Sequence, residues 1–536
     1  MSNDCITFQN SGYFTPIIID YLNESRNLKP LYNRFPRIEN FESQFQEKLV
    51  NFNDNKNFDS NKKRSILVDE LTKQYSSLEP SKATLTNIEL LNNSNTFTIT
   101  TGHQLNLFTG PLYFLYKIIS TINLCSELKS KYPNQNFVPI YWMATEDHDF
   151  DEINYFSFKG KKFRWNKDTS GPVGRLSTDG LQEVFEVFAQ ELGSGNNANF
   201  IKNLFEQSYL KHSNLADATR FLANKLFGDY GLVILDADNH NLKEIFSSYI
   251  KQELLQQKSF EKVNEIIEKL QDYSIQVNPR KINLFYILDN LRERIILENG
   301  VYKINNTKIE FSETEILLEL KKFPERFSPN VILRPLYQEV ILPNLCYIGG
   351  GGEIAYWLEL RSTFEYHQIT FPILMLRNSA LLGTQKQIKK LDKLNLSWAD
   401  LFLKQKELVN NKINLLSKNK FNFEQQKIFL NQQFEKLVTI ANQTEKSFIG
   451  AVKAQESKQI KGLENLEKRL LKAEKQKHSE ELVRITDLQN ELFPNESLQE
   501  RQANFSEFYL EFGAALIEKL VSNLNPFSKN FEIITL

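Results

Sequence analysis

Residues 96–152 read TFTITTGHQLNLFTGPLYFLYKIISTINLCSELKSKYPNQNFVPIYWMATEDHDFDE, and this stretch decides the fold. Thr96–Thr101 is rich in β-branched residues and predicts a buried strand. Pro111 stands where a helix should begin, and apolar residues then recur at helical spacing as far as Leu128. A second apolar run, Phe137–Ala144, predicts the partner strand. Strand, crossover helix and strand together form one right-handed βαβ unit.

Both predicted strands end in unusual polar residues. Gly102, His103 and Gln104 follow the first strand, and the block Glu146–Glu152 (EDHDFDE) follows the second. Ligands of open α/β sheets bind outside the carboxyl ends of the strands. We therefore expect the two polar clusters to converge on one edge of the sheet and form a site.

Length and composition narrow the class of protein. A chain of 536 residues is too long for one core, so two or three structural units are expected. The formal net charge is −1, from 65 basic and 66 acidic side chains, which argues against nucleic acid as a partner. Three scattered cysteines predict neither a disulfide framework nor a zinc knuckle. No secretory signal and no apolar run of about 18 residues is visible, so we expect a cytoplasmic protein without a membrane partner.

The pattern up to residue 383 predicts an α/β fold with a parallel sheet. Insertions are expected at about 154–228 and 242–330, the latter with a small antiparallel sheet over residues 274–311. The remaining expected features are a hairpin around Lys159–Lys161, a parallel strand at Tyr230–Asp236, a strand at Leu345–Ile348, a loop at Gly349–Gly352, a helix at Glu353–Tyr366 and a strand at Phe371–Leu376.

Residues 384–493 predict an α-helical coiled-coil domain, and residues 494–536 are expected to return to the core as a helix and a strand. Thr444–Phe493 contains no proline and carries apolar residues at three-and-four spacing, which predicts one long helix. The heptad pattern weakens between Ala473 and Glu481. Ala399–Leu416 and Phe423–Ile440 are the expected antiparallel partners. An apolar stripe of this length favours a homodimer, with a back-folded hairpin as the alternative.

The acidic block has three possible roles that its spacing does not separate. Asp147, His148, Asp149 and Asp151 are ligand types for a divalent metal ion. Alternatively, the carboxylates bind an amine while His148 moves a proton. In the third interpretation the acidic side chains cap a helix or pair with Lys and Arg.

Three further features suggest anion binding. The helix start at Gly110–Pro111 favours phosphate or carboxylate near Gln104 and Thr109, whereas His103 could equally be satisfied by a backbone group. Gly349–Gly352 admits close backbone approach to a ligand, and we expect a positive φ within it. Arg334 and Arg377 are expected near strand ends, either as anion clamps or as ordinary ion-pair partners.

Three blocks of sequence resemble one known family. TGHQLNLFTGPLYFLYK, VPIYWMATEDHDFDEIN and LRPLYQEVILPNLCYIGGGGEIAYWLEL are similar to the bacillithiol biosynthesis cysteine-adding enzymes. The family's loop-and-helix motif matches Gly102–Tyr113 with Lys117, its acidic block matches Glu146–Glu152, and its arginine and glycine segment matches Arg334 and Gly349–Trp357. One departure is Gly351, where the family often has proline.

The resemblance implies that residues 1–383 form a Rossmann-like core akin to nucleotidylyltransferases and class I aminoacyl-tRNA synthetases, with connecting insertions. It also implies a coiled coil that pairs two subunits. It also implies the last step of bacillithiol synthesis, in which the cysteine carboxyl is joined to the amine of glucosaminyl malate. The predicted catalytic residues are His103, Asp147, His148 and Asp149. The predicted substrate- or nucleotide-binding residues are Gln104, Thr109, Gly110, Tyr113, Lys117, Trp142, Glu146, Asp151, Arg334, Gly349, Gly350, Gly352, Glu353, Tyr356, Trp357 and Arg377.

Amide formation from a carboxylate and an amine is uphill in water, so the carboxylate needs activation. ATP is the expected cofactor, and no metal is predicted. Two alternatives belong to other classes of protein. One is a metal-dependent amide hydrolase that uses the EDHD cluster, and the other is a non-catalytic scaffold whose function is the coiled coil.

Overall fold

The computed structural model describes residues 5–53, 59–417 and 422–536. The chain divides into two compact units. The larger unit comprises Met1–Leu382 and Leu498–Leu536, and the smaller unit comprises Gly383–Ser497.

A five-stranded parallel sheet forms the centre of the larger unit. Its strands, numbered along the chain, are β1 Thr96–His103, β2 Asn136–Met143, β3 Val233–Asp236, β4 Asn344–Gly349 and β5 Ile373–Leu376. Their order across the sheet is β5-β4-β1-β2-β3, and every neighbouring pair is parallel. The predicted α/β class and the predicted βαβ unit are confirmed.

The sheet is buried on both faces, as its sequence indicates. All eight residues of β1 are buried. The side chains of Phe97, Ile99 and Ile348 belong to one apolar cluster, and the hydroxyl of Thr100 donates to the Asn344 side chain at 2.8 Å. The crossover helix α1, Tyr113–Lys131, begins two residues after the predicted start at Pro111.

The strand order reverses beside β1. The chain runs from β1 to β2 and β3 on one side, and then places β4 and β5 on the other side. Such a switch point opens a crevice outside the carboxyl ends of the strands, where ligands of this fold class bind. Gly102 and His103, at the end of β1, line that crevice.

Smaller sheets surround the parallel one. The predicted hairpin pairs Tyr155–Phe158 with Lys161–Arg164. The predicted antiparallel insertion is confirmed, with the strands Leu284–Leu288, Leu291–Glu298, Val301–Ile304, Glu310–Phe311 and Phe327–Pro329. A third sheet contains Cys5–Thr7, Asn530–Thr535 and Ala380–Gly383.

Helices cover the parallel sheet and the insertion. Besides α1, the larger unit contains α2 Leu333–Ile341 and α3 Gly351–Leu358. Its other helices are Phe8–Ser11, Pro16–Leu22, Asn40–Asn53, Ser60–Tyr75, Lys82–Leu90, Phe150–Ile153, Leu181–Leu192, Asn196–Phe205, Leu215–Phe227, His240–Gln256, Lys258–Ile267, Glu313–Lys322, Arg361–His367, Gln499–Gln502, Phe505–Phe512 and Ala515–Asn523. The single helix predicted for Glu353–Tyr366 was wrong, because α3 ends at Leu358 and a second helix begins at Arg361.

The smaller unit is helical, with Gln385–Lys393, Trp398–Leu401, Gln405–Leu416, Glu424–Thr444, Phe448–Lys477 and Ser479–Leu492. Glu424–Thr444 and Phe448–Lys477 pack against each other. Lys427, near the start of the first, pairs with Glu467, toward the end of the second, at 3.2 Å, so the two helices are antiparallel. The long helix predicted for Thr444–Phe493 was wrong in one respect, because it is interrupted at His478, inside the segment where the heptad pattern weakens.

Within the described ranges, no helix combines the length and the apolar character needed to span a membrane.

Candidate functional site

A cavity of about 820 Å³ lies at the switch point of the parallel sheet. One wall is formed by the ends of β1, β2 and β4, and the other by the antiparallel insertion. Its lining residues are Gly102, His103, Gln104, Tyr113, Lys117, Trp142, Met143, Ala144, Thr145, Glu146, Asp147, His148, Asn278, Arg280, Ile282, Leu284, Phe285, Arg292, Arg294, Pro329, Asn330, Val331, Arg334, Tyr337, Tyr347, Glu353 and Tyr356.

The cavity brings together eleven of the twenty predicted site residues. These are His103, Gln104, Tyr113, Lys117, Trp142, Glu146, Asp147, His148, Arg334, Glu353 and Tyr356. The other nine do not line it, namely Thr109, Gly110, Asp149, Asp151, Gly349, Gly350, Gly352, Trp357 and Arg377. The predicted convergence of the β1 and β2 clusters on one sheet edge is thus present in the structure.

A buried ion pair joins the crossover helix to the glycine segment. The Lys117 ammonium lies 2.5 Å from the Glu353 carboxylate and donates to the Gly102 carbonyl, also at 2.5 Å. Glu353 in turn accepts from the Tyr347 hydroxyl at 2.7 Å and from the Gly350 N–H at 2.8 Å. Burial alone would raise the pKa of Glu353, but Lys117 and these hydrogen bonds outweigh it, so the pKa is lowered. The carboxylate therefore stays ionised and fixes the start of α3.

The glycine segment differs from its predicted form. None of Gly349–Gly352 has a positive φ, and Gly351 is already the first residue of α3. The glycines serve close packing instead. A Cβ on Gly349 would lie 2.9 Å from the Glu353 Cβ, and one on Gly102 would lie 3.0 Å from the Tyr347 hydroxyl. The N–H of Gly350 already binds Glu353, so a ligand cannot use it without displacing that carboxylate.

Asp147 is held as a carboxylate beside the cavity. Its side chain accepts from the Gln104 amide at 3.0 Å and from the His148 backbone N–H at 2.8 Å. Partial burial would raise its pKa, but His148, Gln104 and the Arg292 charge lower the pKa well below its usual range. Asp147 is consequently negatively charged at any physiological pH.

Glu146 is paired with a lysine that sequence reasoning missed. Lys243, from the helix His240–Gln256, donates to Glu146 at 2.8 Å and to the Phe327 carbonyl at 2.8 Å. Its side chain is fully buried. Lys243 lies almost a hundred residues from Glu146 in the sequence, so only a prediction of the β3-to-helix packing could have found this contact.

His103 is a neutral, buried imidazole. Burial and the positive charges of Lys117 and Arg377 hold its pKa well below the usual range. The ring packs against the rings of Tyr113 and Phe114, with centroids 5.5 and 5.0 Å away. Its Nε2 atom has no hydrogen-bond partner within the described part of the chain. A neutral ring with one free nitrogen in the cavity wall offers a single hydrogen bond to a ligand.

Arg334 was expected near a strand end, but it lies in the first turn of α2. One of its nitrogens donates to Gln338 at 3.0 Å, while its Nη2 is buried and has no partner among the described residues. The guanidinium lies between 5.5 and 5.9 Å from the ring centroids of Trp142, Tyr347 and Trp357. Trp357 therefore supports Arg334 from behind instead of lining the cavity.

The antiparallel insertion supplies three arginines that sequence reasoning also missed. Arg292 and Arg294 project from the same face of one strand, as the two-residue period of a strand requires, and Arg280 precedes that sheet. Among described residues, the side chains of Arg280 and Arg294 form no hydrogen bond or ion pair, and both are exposed. The alternating run LRERII was the available signal.

Charge in the cavity is unbalanced. Its lining carries five permanently basic side chains and three carboxylates, an excess of two positive charges. The basic residues are Lys117, Arg280, Arg292, Arg294 and Arg334, and the carboxylates are Glu146, Asp147 and Glu353. A cavity with low-dielectric walls and charge of one sign concentrates ligands of the opposite sign.

The predicted anion site at Thr109 and Gly110 is occupied by the protein itself. The N–H groups that an anion would need are already used. Those of Phe108, Gly110 and Leu112 donate to the Tyr209 hydroxyl, the Leu107 carbonyl and the Ala503 carbonyl at 2.8, 2.9 and 2.9 Å. The amide of Asn504 binds the Phe108 and Gly110 carbonyls at 2.8 and 2.6 Å. The turn is strained at Thr109, which has a φ of 68°. This turn anchors the start of α1 and does not reach the cavity.

Arg377 and Gly352 line a separate small cavity of about 60 Å³. Arg377 follows β5 as expected, but its guanidinium binds Glu500 at 2.7 Å and the Ser379 hydroxyl at 3.0 Å. Arg377 is thus an ion-pair partner that ties the C-terminal segment of the larger unit to the sheet, which was the structural alternative for this residue.

Asp149 and Asp151 lie on the surface beside the short helix Phe150–Ile153. Asp151 is exposed and lies 3.5 Å from Arg164, while Asp149 precedes the helix without a side-chain capping bond. No three His, Cys, Asp or Glu side chains within the described ranges are grouped closely enough to hold a metal ion. In the EDHD cluster, three side chains instead accept hydrogen bonds from the protein: Glu146 from Lys243, Asp147 from Gln104, and His148 from Arg292.

Comparison with known proteins agrees with the sequence resemblance. Residues 1–378 match the model of the bacillithiol biosynthesis BshC N-terminal Rossmann-like domain, and residues 380–536 match that of the BshC C-terminal coiled-coil domain. A protein of Flavobacterium johnsoniae named "Putative cysteine ligase BshC" is 64% identical over 536 residues, covering all of both chains. A protein of the same name from Flavobacterium psychrophilum is 65% identical, over 100% of this chain and 99% of its own. Another from Bacillus cytotoxicus is 29% identical, over 92% of this chain and 94% of its own.

The match to the Rossmann-like domain and these relatives all cover the cavity and the residues that line it. The chain belongs to the bacillithiol biosynthesis BshC family.

Proposed function

We propose that the protein is a cysteine ligase of bacillithiol biosynthesis, which joins the carboxyl group of cysteine to the amine of glucosaminyl malate. Besides family membership, the observation that supports this proposal is the cavity at the switch point, whose lining has an excess of positive charge. The proposed reactants bear carboxylates, and an activating nucleotide would bear phosphates. A cavity of about 820 Å³ lies within the range of roughly 300–1,000 Å³ that is usual for small-molecule sites.

The insertion is the proposed binding wall for the malate carboxylates. Arg280 and Arg294 lack protein partners among described residues, so their guanidinium groups are free to bind a carboxylate in a two-pronged manner. Loss of one such charge-assisted contact costs about 1.5–3 kcal/mol, or roughly tenfold to a hundredfold in affinity.

ATP is the proposed activating group, and the residues of the cavity fit it. When bound, ATP supplies the phosphoanhydride bond that makes amide formation favourable. Lys117 of α1 and Arg334 in the first turn of α2 both line the cavity, where they can bind phosphate oxygens, and His103 can add one hydrogen bond. These contacts do not require a metal ligand from the protein.

Asp147 is the proposed site for an ammonium group of a substrate. It stays ionised, it lines the cavity, and its side chain is 28% exposed. Gln104 and the His148 N–H hold its oxygens in place, so a substrate amine would meet an oriented carboxylate. This binding role is one of those that the sequence left open for the acidic block.

Two experiments test the function and the binding wall. Deletion of the gene should remove bacillithiol and accumulate glucosaminyl malate, as measured by mass spectrometry of cellular thiols. Arg294→Gln should weaken glucosaminyl malate binding by tenfold or more in calorimetry. Lys308→Gln, which removes an exposed charge from the same insertion outside the cavity, is the matched control. Equal affinities for both variants, or unchanged thiols in the deletion strain, would contradict the proposal.

We also propose that the coiled coil forms a homodimer and that the enzyme works in the cytoplasm, where ATP and reduced cysteine are available. The helix Phe448–Lys477 contains no buried residue, and the rings of Phe429 and Phe448 are each 62% exposed. Such a surface favours pairing with a second copy. Phe429→Asp should lower the mass seen by light scattering, whereas Leu318→Asp, at an equally exposed residue of the larger unit, should not. A monomeric wild-type protein at micromolar concentration would refute the dimer.

A further inference from the structure

We propose that Arg292 is a positioning residue that holds His148 as a hydrogen-bond donor and prevents it from acting as the proton acceptor of the reaction. The catalytic meaning of this proposal rests on the proposed function. The arrangement of the two side chains can be tested without any substrate.

The contact between the two side chains defines the protonation of the ring. Arg292 Nη1 lies 2.6 Å from His148 Nδ1. A guanidinium has donors and no acceptor, and it keeps its charge in proteins. Hydrogen bonding at this distance therefore requires Nδ1 to be the acceptor. The ring is then neutral, and its only proton sits on Nε2.

Asp147 does not accept a hydrogen bond from His148 Nδ1. In histidines that act as bases, a carboxylate accepts the Nδ1 proton and leaves Nε2 free to take another. Here the Asp147 oxygen is 3.7 Å from His148 Nδ1, beyond hydrogen-bonding distance, and that oxygen accepts the His148 backbone N–H instead. Arginine thus takes the place at Nδ1 that a carboxylate would take beside a base.

Arg292 is itself fixed by its surroundings. Its guanidinium lies 3.9 Å from the centroid of the Phe285 ring, on the neighbouring strand. The ring of His148 packs against the same phenylalanine, with centroids 5.7 Å apart. Burial lowers the pKa of Arg292, and the charges of Asp147 and Glu146 oppose that shift. Arg292 therefore cannot leave His148 without losing both the aromatic platform and these charges.

The consequence is a change of role for a predicted catalytic residue. His148 lines the cavity with 47% of its side chain exposed, so its Nε2–H is available to a ligand. A donor in a positive cavity binds oxygen anions, either carboxylate or phosphoryl. We assign His148 to the binding of such an oxygen, and not to the removal of the amine proton.

Nuclear magnetic resonance of the full-length protein with ¹⁵N-labelled histidine tests the arrangement. The His148 signals, assigned by their loss in His148→Gln, should show a protonated Nε2 and an unprotonated Nδ1. Arg292→Met should yield a mixture of the two neutral tautomers, and Arg292→Lys should restore part of the original signal. Arg294→Met, two residues away on the same face, should leave the tautomer unchanged. A proton on Nδ1 in the wild-type protein would overturn the proposal.

Kinetics give the second readout. If His148 binds a substrate oxygen, Arg292→Met should raise KM by about tenfold or more and change kcat less. A fall in kcat with KM unchanged would instead make His148 a proton-transfer group and contradict the assignment. If Arg292→Met does not fold, Phe285→Leu replaces it, because it removes the aromatic platform and leaves Arg292 and His148 in place. This variant should also yield a mixture of the two neutral tautomers. A correct tautomer in a protein without ligase activity would refute the proposed function and leave the geometry standing.

Discussion

Replacement of Glu353 by glutamine perturbs the centre of the candidate site most directly. The substitution keeps the shape of the side chain and removes its charge. Lys117, 4% exposed, would then remain buried with the Gly102 carbonyl as its remaining partner. We expect a less stable protein, in which the start of α3 is no longer fixed by a charged Glu353 side chain.

The size of the effect follows from two estimates that agree. Removal of one partner from a buried pair costs about 3–5 kcal/mol. If Lys117 instead loses its proton at pH 7, the cost has an upper limit near 5 kcal/mol, since each pKa unit below 10.5 is worth about 1.4 kcal/mol. Glu353 is 26% exposed to the cavity, where water screens the charge, so we expect the lower part of this range, about 3 kcal/mol.

Urea unfolding measured by tryptophan fluorescence is the assay. Three of the four tryptophans belong to the larger unit, and Trp398→Phe removes the fourth, so the signal then reports on that unit alone. Glu339→Gln is the matched control, because it breaks the buried pair of Lys48 and Glu339, 3.0 Å apart, outside the cavity. It should cost as much stability but leave ATP and glucosaminyl malate binding intact.

A double variant separates the pair from its parts. The double variant Lys117→Met with Glu353→Gln should lose less unfolding free energy than the two single variants lose together, by about 2 kcal/mol or more. If Glu353→Gln lies within 1 kcal/mol of the wild type and the double variant shows no such coupling, the assignment of this pair as a buried, mutually dependent contact is wrong.

Two further predictions concern stability. Gly110→Ala should lower the free energy of unfolding by about 1–3 kcal/mol, because the backbone has a positive φ there and the new Cβ would lie 2.7 Å from the Cβ of Asn106. Gly160→Ala also has a positive φ but meets open space, so it should lower the stability less in the same thermal melt. Burial raises the pKa of Glu359, whose carboxylate accepts from the Gln276 N–H, to about 7. The folded state therefore binds this proton more tightly than the unfolded state, and stability falls as pH rises from about 4.5 to 7, by up to about 3 kcal/mol. Glu359→Gln should flatten this pH dependence between pH 5 and 8, and an unchanged slope would contradict the assignment.

Local sequence patterns predict most of the central βαβ unit. The strand at Thr96, its crossover helix and the strand at Phe137 are specified by apolar periodicity within one stretch, so the sequence alone predicts them. Arg334 shows the limit of such reasoning. It was expected near a strand end, but it lies in α2, whose first turn accommodates Pro335 because proline loses no hydrogen bond there.

Part of the site depends on contacts that no local pattern encodes. Lys243 contacts Glu146, and Arg292 contacts His148, across about a hundred residues or more. The first contact depends on how the helix after β3 packs, and the second on how the insertion packs over the sheet. The turn at Gly110 resembled a helix-end anion site, but the Gly110 N–H donates to the Leu107 carbonyl, and the Leu112 N–H donates to the Ala503 carbonyl, almost four hundred residues away. A polar motif read alone does not show whether the protein itself supplies the partner.

The most direct test of the proposed ligase is its reaction with purified components. The protein should convert cysteine and glucosaminyl malate into bacillithiol in the presence of ATP, with one nucleotide consumed for each amide formed, as followed by mass spectrometry with isotope-labelled cysteine. No product in the presence of all three reactants, or release of cysteine from bacillithiol without ATP, would contradict the ligase assignment and favour the hydrolase.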